Sequence, residues 1–184
     1  MVQPAQHFRL DRIPDNLLRD PLDFLIADHM RQRKMCNALD ALHLNSEKEG
    51  SKEIREAIFA YLSEDFLLHI SDEEVDLFPS LLAARNLDHD LDHLIDALTR
   101  NHAIELSLAS DVIVFLQRKQ PPPGEATNVW NFTRLLVTFT ECLRRHLAIE
   151  DQMLMPVARK HLAAEDLHRI GLAMARRRHI DYPG

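Results

Sequence analysis

Apolar residues recur every three or four positions through most of this chain, the spacing that places them on one face of an α-helix. The first such run predicts a helix from about 21 to 44, with Asp20 as its N-cap and Pro21 at its first helical position. A second run begins near Ser51 and continues towards Pro79, where we expect a break or a kink because proline lacks the backbone N–H. The first half of the chain therefore predicts two long helices.

Three further helices are predicted in the second half. The segment 86–93 is typical of a turn into a third helix, which extends to about Lys119 and ends at the sequence PPPG. A fourth helix is predicted from about Thr127, with Pro156 as its kink or end, and a fifth over 163–178. The links between the long helices are short, which favours antiparallel neighbours.

The predicted fold class is all-α, because no strand-like alternation bounded by turn signals occurs in the sequence. We expect an antiparallel up-and-down four-helix bundle at 21–162, preceded by an N-terminal extension at 1–20 and followed by a short C-terminal helix and tail at 163–184. Gly171 is a weak point of that last helix, since glycine has a low helix propensity.

Composition narrows the class of protein. The chain has 184 residues, of which 46% are hydrophobic and 28% charged, with only 4 glycines, as in a single helix-rich globular domain. No apolar window reaches the length of a membrane span, and the amino terminus lacks a signal-peptide stretch, so we expect a cytoplasmic protein. The net charge of −7 argues against nucleic-acid binding, and we attribute the RRR at 176–178 to basic side chains near a helix C-terminus.

Cysteines are scarce and histidines abundant. Cys36 and Cys142 lie far apart within helical patterns, and we predict that both are buried core residues. The chain also contains 11 histidines. Any metal site would therefore use nitrogen and oxygen ligands rather than thiolates.

One short sequence occurs twice. HISDEEVDLFP, from His69 to Pro79, has a counterpart in HLAIEDQMLMP, from His146 to Pro156. In each copy a glutamate follows the histidine by one helical turn, and both residues lie on the apolar stripe that should face the core. An ionised carboxylate inside a bundle costs several kcal/mol unless it is paired or bound to a metal. The repeat therefore indicates two buried His–Glu pairs.

A histidine also interrupts the apolar stripe of each remaining long helix. His29 precedes His69 by 40 positions, and His102 precedes His146 by 44, so the chain is a duplicated helical hairpin. Folding the two halves together brings six candidate metal ligands into the core: His29, His69, Glu73, His102, His146 and Glu150. Six ligands suit two metals about 3.5–4 Å apart, each with two imidazoles and with both carboxylates bridging. This ligand set favours iron, while manganese and zinc remain open.

The two halves resemble the hemerythrin-like proteins, which carry paired His-His-Glu cation-binding motifs, and the resemblance covers about 22–160. It implies a four-helix bundle with two iron ions in a non-haem di-iron centre, bridged by an oxo or hydroxo group, and it gives ligand roles to the six residues above. Oxygen carriers have a further histidine on the third helix, but Leu98 and Leu106 flank His102 here. A fifth histidine ligand is therefore not expected, which argues against carriage of oxygen in the manner of the classical carriers. Relatives that repair iron–sulfur clusters usually have an extra cysteine-containing domain, which the sequence does not show.

Two residues are possible second-shell partners. Glu105 lies one turn beyond His102 and could be a further ligand or orient that histidine, or it could be an ordinary surface or inter-helix charge. Tyr61 lies two turns before His69 and could approach the metals or serve only in packing.

Other polar residues near these motifs are expected to be solvated. Asp72, Glu74 and Asp151 lie about 100° or more off the ligand stripe of a regular helix. His89 and His93 have metal-ligand spacing but lie in an acidic turn, where a solvated helix start is the favoured interpretation and adventitious metal binding the alternative.

The sequence leaves more than one function open. A metal pair with an open coordination position could bind or sense O2, NO or peroxide, and we expect such a small molecule to be its partner. The alternative is a di-iron enzyme that acts on peroxide or NO, or an iron donor in iron–sulfur cluster repair. A purely structural metal is disfavoured, because structural sites are usually closed. Oligomeric state and redox partner do not follow from the sequence.

Overall fold

A computed structural model describes residues 8–44, 51–84, 89–117 and 126–183. Helix α1 spans Pro21–Leu44 and α3 spans His89–Gln117. The last helix, α5, spans Ala164–Arg177, and a 3₁₀ turn at Asp15–Arg19 precedes α1. No strand occurs in these four stretches, and the all-α prediction is confirmed.

The second and fourth long helices each contain a π turn. Helix α2 (51–84) comprises Ser51–Ser63, Asp65–Ser71, the π turn Asp72–Leu77 and Phe78–Ala84. Helix α4 (126–161) comprises Ala126–Ile149, the π turn Glu150–Leu154 and Met155–His161. Single π turns of this kind are rare overall, and those that occur are often found at functional sites.

Neither proline ends its helix, although a break, kink or end was expected at Pro79 and Pro156. The residue before each proline donates its N–H five residues back, from Phe78 to Glu73 O and from Met155 to Glu150 O. This wider turn separates the proline ring from the carbonyl with which it would clash in a regular α-helix. The helices therefore continue for about two more turns beyond the π segments.

The four long helices form a closed ring of contacts. Successive helices pack against each other, and α4 returns to pack against α1, as in a four-helix bundle. The N-cap expected for α1 is present, since the Asp23 N–H donates to Asp20 Oδ1 at 3.1 Å.

Two apolar clusters fill the bundle. One contains Leu25 and Leu77, and the other contains Met35 and Phe66. On α1, His29 falls between members of the two clusters, and on α2, His69 does the same. A polar layer therefore divides the hydrophobic core.

The C-terminal helix is joined to the bundle by apolar and ionic contacts. Ile170 and Met174 are part of the first apolar cluster. Arg177 and Arg178 both donate to the carboxylate of Asp72, which is 0% exposed. The sequence predicted only that these arginines lie near a helix C-terminus. In the structure Arg177 and Arg178 also form ion pairs with one buried carboxylate.

The two cysteines differ in burial. Cys36 is 0% exposed, as predicted, and burial raises the pKa of its thiol to about 12. Cys142 is only partly buried, and its thiol lies 3.9 Å from a carboxylate oxygen of Glu105. The prediction of a buried core residue was therefore wrong for Cys142.

Gly171 is required for close packing. A Cβ atom at this position would overlap the backbone carbonyl oxygen of Leu18 and lie 3.0 Å from the Tyr182 ring. We expect Gly171→Ala to destabilise the protein by about 1–3 kcal/mol in urea unfolding, because the opposing atom is backbone. Helix propensity alone predicts the opposite sign, a gain of roughly 1 kcal/mol. A more stable variant would contradict the packing argument.

Candidate metal centre

Six predicted side chains meet in the polar layer of the bundle. Each is 2% exposed or less, and together they are His29, His69, Glu73, His102, His146 and Glu150. They form two groups of four, in each of which the ligand atoms all lie within 4.8 Å of one another. Both groups contain both glutamates, and each has its own pair of histidines.

The first group is position A, built on His29 and His69. The Nε2 atom of His29 lies 3.6 Å from Glu73 Oε1 and 3.4 Å from Glu150 Oε2. The Nε2 atom of His69 lies 3.6 Å from the same Oε1 atom of Glu73. Two imidazole nitrogens and two carboxylate oxygens thus converge from α1, α2 and α4.

The second group is position B, built on His102 and His146. The Nε2 atom of His102 lies 3.2 Å from Glu73 Oε2, and that of His146 lies 2.9 Å from Glu150 Oε1. The two Nε2 atoms are 3.2 Å apart. Here the ligand atoms converge from α2, α3 and α4.

Each glutamate gives one oxygen to each position. Glu73 turns Oε1 to position A and Oε2 to position B, while Glu150 turns Oε2 to A and Oε1 to B. Two carboxylates arranged in this way could each face two cations.

The donor atoms have the chemistry of a cation site. The Nε2 atoms of His29 and His69 and all four oxygens of the two glutamates are buried without a hydrogen-bond partner. Unsatisfied buried polar atoms are rare in native proteins, and a group of acceptors at one point needs positive charge. The six residues therefore fit metal ions with nitrogen and oxygen preference.

Burial and the nearby carboxylates shift the pKa values of the site histidines. Burial lowers the pKa of His69 to about 4, which keeps this imidazole neutral near pH 7, the form that ligates metals. At His29, burial also favours the neutral form, but the hydrogen bond to Asp151 and the negative charge of the nearby Glu73 carboxylate outweigh it and raise the pKa to about 10. Burial likewise opposes the proton on His102, and the partner Glu73 raises its pKa to about 9. Cation binding must displace those protons.

A second layer of carboxylates faces the outer nitrogens of the histidines. In position A, His29 Nδ1 lies 2.6 Å from Asp151 Oδ1, and His69 Nδ1 lies 3.3 Å from Asp28 Oδ2. The Asp151 contact is a hydrogen bond, which fixes the orientation of the His29 ring and raises the basicity of its other nitrogen, whereas Asp28 faces His69 at ion-pair distance only.

Position B repeats this design. His102 Nδ1 lies 2.9 Å from Glu74 Oε1, and His146 Nδ1 lies 3.6 Å from Glu105 Oε1. Glu105 is 1% exposed, and burial raises its pKa to about 7. It faces His146 rather than His102, the residue it was expected to orient.

Of three residues expected to be solvated, Asp72 is buried, and Glu74 and Asp151 are only partly exposed and have partners at the site. Asp72 is fully buried beneath the arginines of α5, and Glu74 and Asp151 contact site histidines. The prediction assumed the regular rotation of an α-helix, whereas all three lie in the π turns, where each residue turns less about the axis. A signal was present in the sequence, because an acidic residue directly follows both Glu73 and Glu150.

Two residues complete this outer layer. Tyr61 is 2% exposed and donates its hydroxyl to Asp28 Oδ2 at 2.9 Å, so it approaches the site only through that carboxylate. Gln32 is fully buried, and neither its amide nitrogen nor its amide oxygen has a hydrogen-bond partner. Neither Asp28 nor Gln32 was singled out by the sequence pattern.

The paired histidines at the start of α3 lie apart from the two groups. His93 is exposed to solvent, as expected of a helix start, and the side chain of His89 lies outside the described residues. Within the described part of the chain, no helix is long and apolar enough to cross a membrane.

Comparisons with known proteins find similarity over the part of the chain that contains these side chains. The family model of the hemerythrin HHE cation binding domain matches residues 20–158, which include all six side chains. A protein of Haemophilus influenzae, described as an uncharacterized protein, is 26% identical over 171 residues, or 88% of this chain and 91% of the relative. No solved structure gives a significant match.

Proposed function

The chain belongs to the hemerythrin HHE cation-binding domain family, and on that premise we propose that it holds two iron ions, one in position A and one in position B. We further propose that this iron pair binds or senses O2, NO or peroxide. The main support for this proposal is that each glutamate directs one carboxylate oxygen to position A and the other to position B. In this proposal, His29 and His69 hold one ion and His102 and His146 the other, with both glutamates shared. Two iron ions supply reversible redox chemistry and coordination positions for a small ligand.

The burial of the ligands limits what can reach the ions. All six side chains are 2% exposed or less, so a macromolecule or a bulky substrate does not fit beside them. The proposal therefore limits the ligand to a molecule about the size of O2, NO or peroxide. The chain's own residues keep bulk water away and hold the imidazoles in fixed orientations through their outer carboxylates.

An absorption spectrum distinguishes the proposed function from its alternatives. The protein is reconstituted with Fe²⁺ under anaerobic conditions, and spectra are recorded before and after addition of O2, NO or peroxide. A stable, stoichiometric new spectrum supports binding or sensing. Repeated consumption of peroxide or NO supports an enzyme, and transfer of iron to an apo iron–sulfur protein supports an iron donor. No spectral response to any of the three ligands contradicts the proposal.

We expect His69→Ala to lose far more bound iron than the double variant His89→Ala/His93→Ala. His69 lies in position A, whereas His93 is exposed at the start of α3. The proposal predicts loss of roughly half the bound iron or more in the first variant and no loss in the second. Iron per folded chain, measured after desalting, provides the comparison. Equal losses in the two variants would place the site at the start of α3.

A further inference from the structure

The two cation positions share their glutamates but differ in the charge around them. Resting on the proposed pair of cations, we propose that position B binds a divalent cation first and more tightly than position A. The difference comes from two arginines that neutralise the outer carboxylates of one position only.

Position A is neutralised from outside. Asp28 accepts from Arg31 Nη1 at 2.8 Å, and Asp151 accepts from Arg33 Nη2 at 2.5 Å. Each of these carboxylates therefore contacts a site histidine with one oxygen and an arginine with the other. Their negative charge is already balanced, so it adds little attraction for a cation held by His29.

Position B has no such balance. Within the described ranges, no lysine or arginine lies within ion-pair distance of Glu74 or Glu105. In the part of the chain that the structure describes, the polar contacts of Glu105 are with His146 and the thiol of Cys142. A buried carboxylate without a basic partner is costly unless a cation lies nearby. The cation held by His102 and His146 is the one that compensates it.

Of the two outer carboxylates of position B, Glu105 should contribute more to cation binding than Glu74, because it is less exposed to solvent. The Glu74 side chain is 35% exposed, so water and salt screen its charge. Glu105 is 1% exposed, and its charge acts through protein rather than through solvent. Glu105 therefore places a buried carboxylate 3.6 Å from His146 Nδ1, and its ionised form adds negative charge that solvent screens little on the side of position B.

The two halves are related by an exchange of residue types. Asp28 directly precedes His29, and Gln32 follows it by three; in the other half Asn101 precedes His102 and Glu105 follows it by three. Each half thus has one carboxylate and one amide at these two places, in swapped order. The swap gives one carboxylate an arginine on its own helix, Arg31, and leaves the other without one.

Calorimetric titration of the metal-free protein with Co²⁺ tests this inference. We expect two binding events whose affinities differ about tenfold or more, the range that outer carboxylates usually control. Glu105→Gln should weaken the first event by about tenfold or more and draw the two events together. Asp28→Asn, the matched change in position A, leaves Arg31 without this carboxylate and should weaken the second event more than the first.

Ligand variants assign the events to positions. His146→Ala should remove the tight event, and His69→Ala should remove the weak one, each in a protein shown by circular dichroism to be helical. If His146→Ala does not fold, Glu105→Gln, which keeps size and shape, decides the assignment. A tight event that survives loss of position B, or two events of equal affinity, overturns this inference alone. A parent protein that binds one Co²⁺ or none overturns the inference together with the proposed pair of cations.

Discussion

Replacing Glu150 by glutamine is expected to remove most of the stabilisation that metal gives to this protein. The carboxylate faces both cation positions, so its loss weakens both ions, whereas glutamine keeps its shape and leaves the fold intact. If affinity falls about 100-fold, metal at 100 times the parent Kd stabilises the parent by about 2.7 kcal/mol and the variant by about 0.4 kcal/mol. In a chain of this size that difference is roughly 5–10 °C in Tm.

Thermal melts with and without Fe²⁺, under anaerobic conditions, measure this effect. Glu141→Gln is the matched control, since Glu141 is an exposed glutamate of the same helix. It should keep the full metal-dependent shift. A Glu150→Gln protein that iron stabilises as much as the parent, or a parent that iron does not stabilise, contradicts the assignment of Glu150 to the site.

The second large effect concerns the buried ion pairs of the C-terminal helix. Arg177→Ala/Arg178→Ala leaves the fully buried Asp72 without either of its basic partners. Burial already raises the pKa of Asp72 against the two arginines. Removing the partners of a buried charge usually costs about 3–5 kcal/mol, so we expect a loss of that size in urea unfolding.

Two further variants separate charge from helix packing. Arg176→Ala, an exposed neighbour on the same helix, should change stability by less than about 0.5 kcal/mol. Adding Asp72→Asn to the double variant should restore part of the lost stability, because an amide needs no counter-charge. A double variant as stable as Arg176→Ala would show that Asp72 does not depend on these arginines.

The helices and the ligand stripe could be predicted because both depend on local periodicity. Apolar residues at helical spacing placed His69 and Glu73 on the core face, and the second copy of the motif placed His146 and Glu150 there. The same argument gives the residues that meet in the polar layer of the bundle.

Helical spacing identified Glu105 as a possible partner of the site, but it did not identify Asp28, Glu74 or Asp151, for two physical reasons. Glu74 and Asp151 lie in π turns, where the rotation per residue departs from that of an α-helix. The remaining contacts join residues far apart in the chain, such as Arg33 with Asp151 and Arg178 with Asp72. Pairing over such distances depends on how the helices pack, which periodicity does not specify.

The number of metal ions per chain tests the account most directly. The metal-free protein is reconstituted with excess Fe²⁺ under anaerobic conditions, desalted, and analysed for iron and protein by elemental and amino-acid analysis. Because two pairs of histidines share two bridging glutamates, we predict two iron ions per folded chain. One ion or none, in a protein that remains helical, would contradict it.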